Sequence, residues 1–490
     1  MATLEEYFTP FRKNIVGYDQ EFDSPYGRKR IVYADWTASG RLYGPIEKTM
    51  REELGPFVGN THSESSVTGS TMTHAYHEAH AIIKKHVNAG RDDALLFVGF
   101  GMTAAVTKLQ RMLGLKIPEQ VRQFVSLPEE LKPIVFVSHM EHHSNHTSWL
   151  ETLADVVVIK PTNDGLVDIE DLLFLLNEHK NRKFKIGAFT ACSNVTGIQT
   201  PYHQLSKIMH QHGGVCFVDF AASAPYVPID MHPADPLEKL DAITFSPHKF
   251  LGGPGTSGVL IFDSHLYDLK SPDQPGGGTV LWTNPWGYHR YSPDIEVRED
   301  GGTPGFLQAI KGAMAVKLKG DMTIEAIQKR EEELVAKAFK GLRQMPGLNI
   351  LAGNIEHRLS LISFYIDKIH YNLVVRLLND RFGIQSRGGC SCAGTYGHYL
   401  LHVDRFTSKR ITDRIDEGDM STKPGWVRIS LHPTTTDAEL EMIIDAIRQV
   451  QRNVGTWEKD YTYDPHLNEF NFKGGNGQVE RTVKKWFSLS

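Results

Sequence analysis

The chain has 490 residues, 40% of them apolar and 23% charged, with a formal net charge of −5. That length exceeds one ordinary domain and predicts two or three packed together. The acidic balance argues against a general grip on nucleic acid, which needs a strongly basic face, and no run of about 18 uncharged apolar residues is present to span a membrane. Four cysteines do not make a disulfide framework. The opening MATLEEYFTPFRKNIVGYD lacks the apolar core of a secretory signal, so a reducing cytoplasm is the expected location.

Seven short runs follow one another between residues 94 and 262: ALLFVGF (94–100), PIVFVSH (133–139), DVVVIK (155–160), KIGAFTACSN (185–194), GVCFVDF (214–220), AITFS (242–246) and SGVLIF (257–262). They are nearly continuous in apolar residues rather than alternating, and polar, helix-like stretches separate them. Strands buried on both faces have this texture, which predicts an α/β domain with a mostly parallel seven-stranded sheet. Residues 110–132 read as a polar helical insertion. In the second region, TIEAIQKREEELVAKAFKGLRQM (323–345) has helical apolar spacing, and RLSLISFYI (358–366) and GWVRISLH (425–432) read as strands. Thr436 followed three residues later by Glu439 is a capping-box pattern, so a helix is expected to start there and run to about 454. This makes a smaller α+β domain at the C-terminal end. The tail 455–490 fits no element. The expected division is an N-terminal segment over 1–35 packing with the small domain, a large domain over 36–315, the small domain over 316–455 and an extension over 456–490.

Small or polar residues stand where the predicted strands end: Gly101, His139, Asn194, Asp219 and His248. In open α/β sheets the ligand lies outside the carboxyl ends of the strands. The stretch AITFSPHKFLGGPGTSGVLIF (242–262) sets Lys249 between a buried strand and a glycine loop. Desolvation there lowers an amine's pKa, and a neutral amine is a nucleophile suited to a Schiff base with an aldehyde. Asp219 closes another strand, where a buried carboxylate can keep a pyridinium nitrogen protonated, as pyridoxal phosphate requires. GFGMTAAVTKL (99–109) reads as strand, tight turn and helix, and its helix N-terminus with the Thr103 hydroxyl is a phosphate cradle.

These residues resemble the class V group of fold-type I pyridoxal-phosphate enzymes, and most closely the cysteine desulfurases and selenocysteine lyases, over roughly 30–310 and 355–450. The motifs are YADWTAS (33–39), NTH (60–62), MEHHSN (140–145), SNVTG (193–197), VDFAAS (218–223), SPHKFLGGPGTSGVL (246–260) and EDGGTPG (299–305). The resemblance implies a fold-type I transferase architecture with pyridoxal 5'-phosphate as cofactor. It makes Lys249 the Schiff-base lysine, His142 the ring that stacks on the cofactor, Asp219 the pyridinium partner, Asn194 a neighbour of the phenolic oxygen, and Ser246 and His248 phosphate ligands. His62 falls in the Asn-x-His loop and is expected at the substrate. Gly302 and Thr303 imply a homodimer, because in the family this pair reaches the phosphate of the neighbouring subunit.

In SRGGCSCAG (386–394) the resemblance sets Arg387 at the substrate and Cys392 as the thiol that accepts sulfur. In VRISLHPTTT (427–436) Arg428 is expected to hold the substrate carboxylate by a two-pronged bond. The implied reaction takes sulfur from L-cysteine as a persulfide and releases alanine, with a sulfur-accepting protein as a possible partner. Three departures stand out. Ala222 occupies the position where desulfurases usually carry a glutamine, Pro433 and Thr434 replace a Tyr-Asn pair, and Trp36 stands where a small or polar residue is usual. Another class V chemistry (transamination, epimerisation or β-elimination) therefore stays open, as does a non-catalytic binding protein of the same fold.

Other readings attach to single residues. Cys390 and Cys392 are also half of a metal site, though no second close pair accompanies them, and no metal is expected. HMEHHSNH (139–146) looks like a zinc cluster, but ring stacking by His142 suits it better beside a cofactor lysine. Arg387 and Arg428 also suit structural ion pairs, and Asp219 a loop cap. Cys216 reads as a small core residue. Which of Cys390 and Cys392 carries sulfur is open at this level.

Overall fold

A computed structural model describes residues 3–475 and 478–488. The chain folds into two compact units. The larger holds the N-terminal residues through Val16, Trp36–Arg330 and His357–Leu359; the smaller holds Gly17–Asp35, Glu331–Glu356 and the residues from Ser360 onward.

The larger unit is built on seven strands: β1 (Asp93–Val98), β2 (Ile134–Ser138), β3 (Asp155–Ile159), β4 (Lys185–Thr190), β5 (Val215–Asp219), β6 (Ala242–Phe245) and β7 (Gly258–Asp263). They lie in the order β1-β7-β6-β5-β4-β2-β3. Each apolar run of the sequence forms one strand, with ends displaced by a few residues at most. The sheet is parallel except for β7, which runs antiparallel to both β1 and β6. The connection after β6 is a 3-10 turn and a glycine loop with no crossover helix, which suits the reversal, since parallel neighbours are usually joined through an α-helix. Every residue of β2 and β4 is buried, which is why these strands show no polar alternation. One face of the sheet packs Val135, Val137, Ile186 and Ala188 against Ala105, Val106 and Leu109 of a helix spanning Met102–Met112.

Helices α1 (Val67–His86), α2 (Met102–Met112), α3 (His143–Leu150) and α4 (Phe306–Met322) carry the loops that matter for the site. The expected helical insertion over 110–132 is corrected. After α2 ends at Met112, only Glu119–Arg122 is helical, and the remainder is turn and irregular chain. Pro118, Pro128 and Pro133 interrupt the stretch, and each removes a helix hydrogen bond or restricts the residue before it.

The smaller unit has a four-stranded antiparallel sheet in the order β8-β9-β11-β10, where β8 is Leu348–Ile350, β9 is Leu361–Ile366, β10 is Arg387–Gly389 and β11 is Trp426–Ser430. Two helices cover it, α5 (Tyr371–Phe382) and α6 (Asp437–Trp457). The capping box at Thr436 and Glu439 is present with both reciprocal bonds. The tail that matched no pattern forms a hairpin, Tyr461–Asp464 with Glu469–Phe472, followed by a helix over Gln478–Trp486. The hairpin is fastened by side chains distant in sequence. The Tyr26 ring packs edge-on against Phe472 with ring centres 5.8 Å apart and is covered by the Arg381 guanidinium at 3.8 Å, and Tyr461 donates to Asp380 at 3.0 Å. No helix among the described residues is long and apolar enough to cross a membrane.

Candidate functional site

In the larger unit the carboxyl ends of the strands gather the residues singled out above. Lys249 ends a short 3-10 turn, Pro247–Lys249, directly after β6. Its backbone N–H donates to Ser246 at 3.0 Å, and the side chain is half-buried. The glycine loop that follows folds back onto this turn, so that a Cβ on Gly253 would stand 1.8 Å from the Pro247 carbonyl oxygen. Only glycine fits so close an approach. Asp219 is the last residue of β5 and is 5% exposed. Burial pushes its carboxyl up to about 6, against the opposing effects of the Ala221 N–H and the nearby Lys249 amine. Burial, and then the same amine, hold His248 down at about 4.

Ser246 ties this corner to the start of α2. Its hydroxyl oxygen accepts from the Met102 N–H at 2.8 Å. A Cβ on Gly101 would come 3.0 Å from that oxygen and 3.6 Å from His248 Nε2, so the absence of a side chain at residue 101 leaves a cradle between them. Thr103 is exposed on the first turn of α2, its hydroxyl 2.7 Å from that of Ser144 in α3. His142 is the N-cap of α3, and its Nδ1 accepts from the Ser144 N–H at 3.1 Å. Asn194 is buried just beyond β4. His62 is exposed with a left-handed φ of 64°, and its ring borders Gly278. The neighbouring Gly277 carbonyl accepts from the Gly302 N–H at 2.8 Å. Gly302 and Thr303 stand exposed on that loop. The segment leading to them is anchored by Glu299, which is buried against Lys108 of α2 at 2.5 Å and Tyr267 at 2.6 Å.

The residues thus fit a flat, anionic aldehyde cofactor. A buried carboxylate stands near an amine, and a helix start with a hydroxyl and an imidazole opens a side-chain-free cradle. This set is donor-rich where a phosphate needs donors and acidic where a pyridinium needs an acceptor.

In the smaller unit Arg428 lies on β11 and is 3% exposed. Its guanidinium binds Asp35 Oδ1 at 2.9 Å, while Arg387, directly opposite on β10, binds Asp35 Oδ2 at 3.0 Å. Burial lowers the Arg428 pKa and Asp35 counters it; the Cys392 thiol also lies within electrostatic reach of that guanidinium. Cys392 is exposed and Cys390 half-buried. Among the described residues no group of three or more His, Cys, Asp and Glu side chains could hold a metal ion.

The family model for class-V aminotransferases matches residues 32–443. The chain belongs to the class-V aminotransferase family. Members of this family are pyridoxal-phosphate-dependent enzymes. The class-V protein described here is 28% identical over 375 residues to a Staphylococcus aureus (strain Mu50 / ATCC 700699) protein named "Probable cysteine desulfurase", covering 76% of this chain and 85% of that one. A Staphylococcus epidermidis protein of the same name is 28% identical over 369 residues, covering 74% and 84%. Among solved structures, the apo cysteine desulfurase of Thermococcus onnurineus NA1 shares the fold with a TM-score of 0.71 at 21% identity, over 91% of this chain and 98% of that one. The cysteine desulfurase CsdA of Escherichia coli, in an S-sulfonic acid form, does so with 0.67 at 22% identity, over 86% and 94%.

Three charged residues that brace these groups, one in the smaller unit and two in the larger, escaped the sequence reading. Asp35, inside YADWTAS, is the counter-charge of both arginines. Glu141, beside His142, is 2% exposed and accepts from Ser138 Oγ at 2.5 Å, Asn145 Nδ2 at 2.8 Å and the Thr190 N–H at 2.9 Å. It thereby knits the ends of β2 and β4 to α3. Lys319 of α4 is 1% exposed. Its amine donates to the carbonyls of Ala224 at 2.7 Å and Val227 at 2.5 Å, holding the loop that follows Asp219. Asp35 and Glu141 lay in quoted motifs, but Lys319 had no local signal.

The buried Asp219 makes cofactor-free protein sensitive to pH. The unfolded chain titrates this carboxyl near 3.8 and the folded chain at about 6. The folded state therefore binds the proton more tightly between those values, and stability falls as pH rises through them, by about 3 kcal/mol. Urea midpoints of cofactor-free protein are expected to drop across this window. The drop should be smaller in Asp219→Asn by about that amount, the part that remains coming from Glu141 and Glu331, which burial pushes up to about 8 and about 7; an equal drop in both proteins would assign all of it to those other groups.

Proposed function

We propose that the protein is a pyridoxal-phosphate-dependent cysteine desulfurase, which takes sulfur from L-cysteine onto its own thiol and releases alanine. The observation that carries this reading is the exposed thiol of Cys392, within electrostatic reach of the buried Arg428. A thiol in an electropositive, accessible setting suits sulfur transfer. The cysteine desulfurase names of the similar proteins support it.

In this reading Ser246, His248, Thr103 and the N-terminal N–H groups of α2 hold the cofactor phosphate. Asp219 would hold the proton on the ring nitrogen, His142 would stack on the ring and Asn194 would bind its phenolic oxygen. Pyridoxal phosphate supplies an electron sink for the bonds broken at the substrate Cα. The Lys249 amine would hold the cofactor's aldehyde and would move protons at the substrate Cα. Arg428, oriented by Asp35, holds the substrate carboxylate, with Arg387 and His62 as further substrate contacts. The Cys392 thiolate bonds to the substrate Sγ as the Cβ–Sγ bond breaks. The electron pair of that bond stays with the carbon fragment, which takes up a proton and leaves as alanine. The exposed Gly302 and Thr303 would complete the site of a second copy, so the reading includes a homodimer acting in the cytoplasm. A sulfur-accepting protein is its expected downstream partner.

Cys392→Ser decides the matter. It is expected to bind cofactor as the wild type does but to form no persulfide from L-cysteine, with alanine release down by about 10²-fold or more. Alkylation and mass spectrometry after one turnover read the oxidation of Cys392, as a persulfide or as a disulfide derived from it. Undiminished alanine from the variant would rule out sulfur transfer to Cys392, and sulfide released with pyruvate and ammonia in place of alanine would favour a β-eliminating lyase.

A further inference from the structure

The sequence pairs Cys392 with a second cysteine two residues earlier, and the reaction above leaves Cys390 without a task. We propose that Cys390 is a resolving thiol: it attacks Cys392 once that residue carries a persulfide, expels the sulfur as hydrosulfide and closes a Cys390–Cys392 disulfide. The inference rests on the desulfurase reading.

One tight turn carries both thiols. The Ala393 N–H donates to the Cys390 carbonyl at 3.0 Å, and the two residues between them, Ser391 and Cys392, have φ of 51° and 55°. Positive φ at both central positions with this bond is the mark of a type I′ turn. Glycine, asparagine and aspartate favour such positions, and other residues hold them only where the surroundings over-determine the backbone. Here the surroundings do so. Trp426 of β11, 1% exposed, donates its indole N–H to Ser391 Oγ at 3.2 Å. Gly389, which pairs with Trp426 across β10 and β11, precedes the turn, and a helix over Gly394–Leu400 follows it at once. The chain is thereby folded tightly at Cys390, Ser391 and Cys392.

Consecutive Cα atoms are about 3.8 Å apart, and a chain bent as in a turn separates residues 390 and 392 by about 5.5 Å, inside the range that a disulfide spans. An extended chain would hold them further apart and on opposite faces. The two thiols also differ in setting. Cys392 is exposed and within electrostatic reach of Arg428, whereas Cys390 is half-buried and within reach of the Tyr371 phenol. The remaining cysteines, Cys192 and Cys216, are buried in the larger unit.

The step balances. The Cys390 thiolate forms a bond to Cys392 Sγ, the bond from that Sγ to the outer sulfur breaks, and its electron pair leaves with hydrosulfide. The outer sulfur is reduced, the Cys390 sulfur is oxidised, and Cys392 Sγ keeps the oxidation level it reached when the persulfide formed. Hydrosulfide is a better leaving group than a cysteine thiolate, which favours attack at the inner sulfur. A disulfide in so small a ring is strained and readily reduced, so an external dithiol or monothiol resets the pair. The enzyme would then deliver free sulfide at the expense of a thiol reductant.

The test is a single turnover of holoenzyme with L-cysteine, without reductant, quenched with iodoacetamide. Alanine, sulfide and the mass of the peptide bearing both cysteines are measured. Wild-type protein is expected to yield sulfide matching alanine and a peptide two hydrogens lighter than the dithiol. Cys390→Ser should form alanine yet hold the extra sulfur on Cys392, with sulfide release lower by about tenfold or more until dithiothreitol is added. Alanine with a persulfide retained by wild-type protein, and equal sulfide from the variant, would overturn the resolving thiol alone. No alanine from wild-type holoenzyme would overturn the desulfurase reading and this inference with it. The wild-type arm decides the outcome without relying on how the variant folds.

Discussion

Replacing Lys249 by alanine is expected to remove the visible absorbance that pyridoxal phosphate gives the holoenzyme, and to lower L-cysteine turnover by about 10²–10⁴-fold or more. The loss should be chemical rather than structural. Lys249 is half-buried at the end of its turn, and that turn is closed by backbone bonds from Lys249 to Ser246 and from Phe250 to Pro247, which alanine leaves intact. Phe250 and Leu251, next in the chain, are the core residues there. Lys249→Arg sharpens the test. Arginine keeps the charge but remains protonated at any working pH and offers no nucleophilic amine. Borohydride reduction followed by intact-mass measurement should find the cofactor fixed to wild-type protein and absent from both variants. A reduced adduct on either variant would place the covalent anchor elsewhere.

The second large effect concerns the pair of Arg428 and Asp35. Their side chains are 4% and 12% exposed, so neither charge has water to fall back on. Arg428→Met strands the Asp35 carboxylate with only Arg387, whose side chain is 51% exposed. Removing one partner of a buried pair costs about 3–5 kcal/mol, and the remaining arginine should bring this to about 2–4 kcal/mol. The urea midpoint should fall while the denaturant slope holds. If Arg428 also holds the substrate carboxylate, the KM for L-cysteine should rise by about 10–100-fold, the value of a charge-assisted bond. The double variant Asp35→Asn with Arg428→Met should recover part of the lost stability, because it strands no charge. Additive losses would mean that the two side chains act independently. A fall in stability with an unaltered KM would leave Arg428 a structural residue, as its ion pair alone would suggest.

Much of the architecture was legible in the chain because its causes are local. A strand buried on both faces must be apolar throughout, so β1–β7 announced themselves. The capping box at Thr436 and Glu439 lies within one helical turn. The lysine and its glycine loop are contiguous, because the loop closes over the turn that carries the amine. The helical insertion failed for an equally local reason, since its prolines outweigh its polarity.

The remainder depends on residues that meet only after folding. Asp35 and Arg428 are 393 positions apart, and nothing near either one names the other. Lys319 looks like any helix lysine until α4 is packed beneath the carbonyls of residues 224 and 227. The hairpin of the tail is short and mixed in character, and it is fixed by Tyr26 and Asp380 rather than by its own pattern. The sequence by itself determined the sheet, the lysine set before its glycine loop and the pair of cysteines, because burial and turn chemistry act over a few residues. Only the tertiary structure decided which charges neutralise one another and how tightly the cysteine turn is held, because those energies arise between surfaces that the chain brings together last.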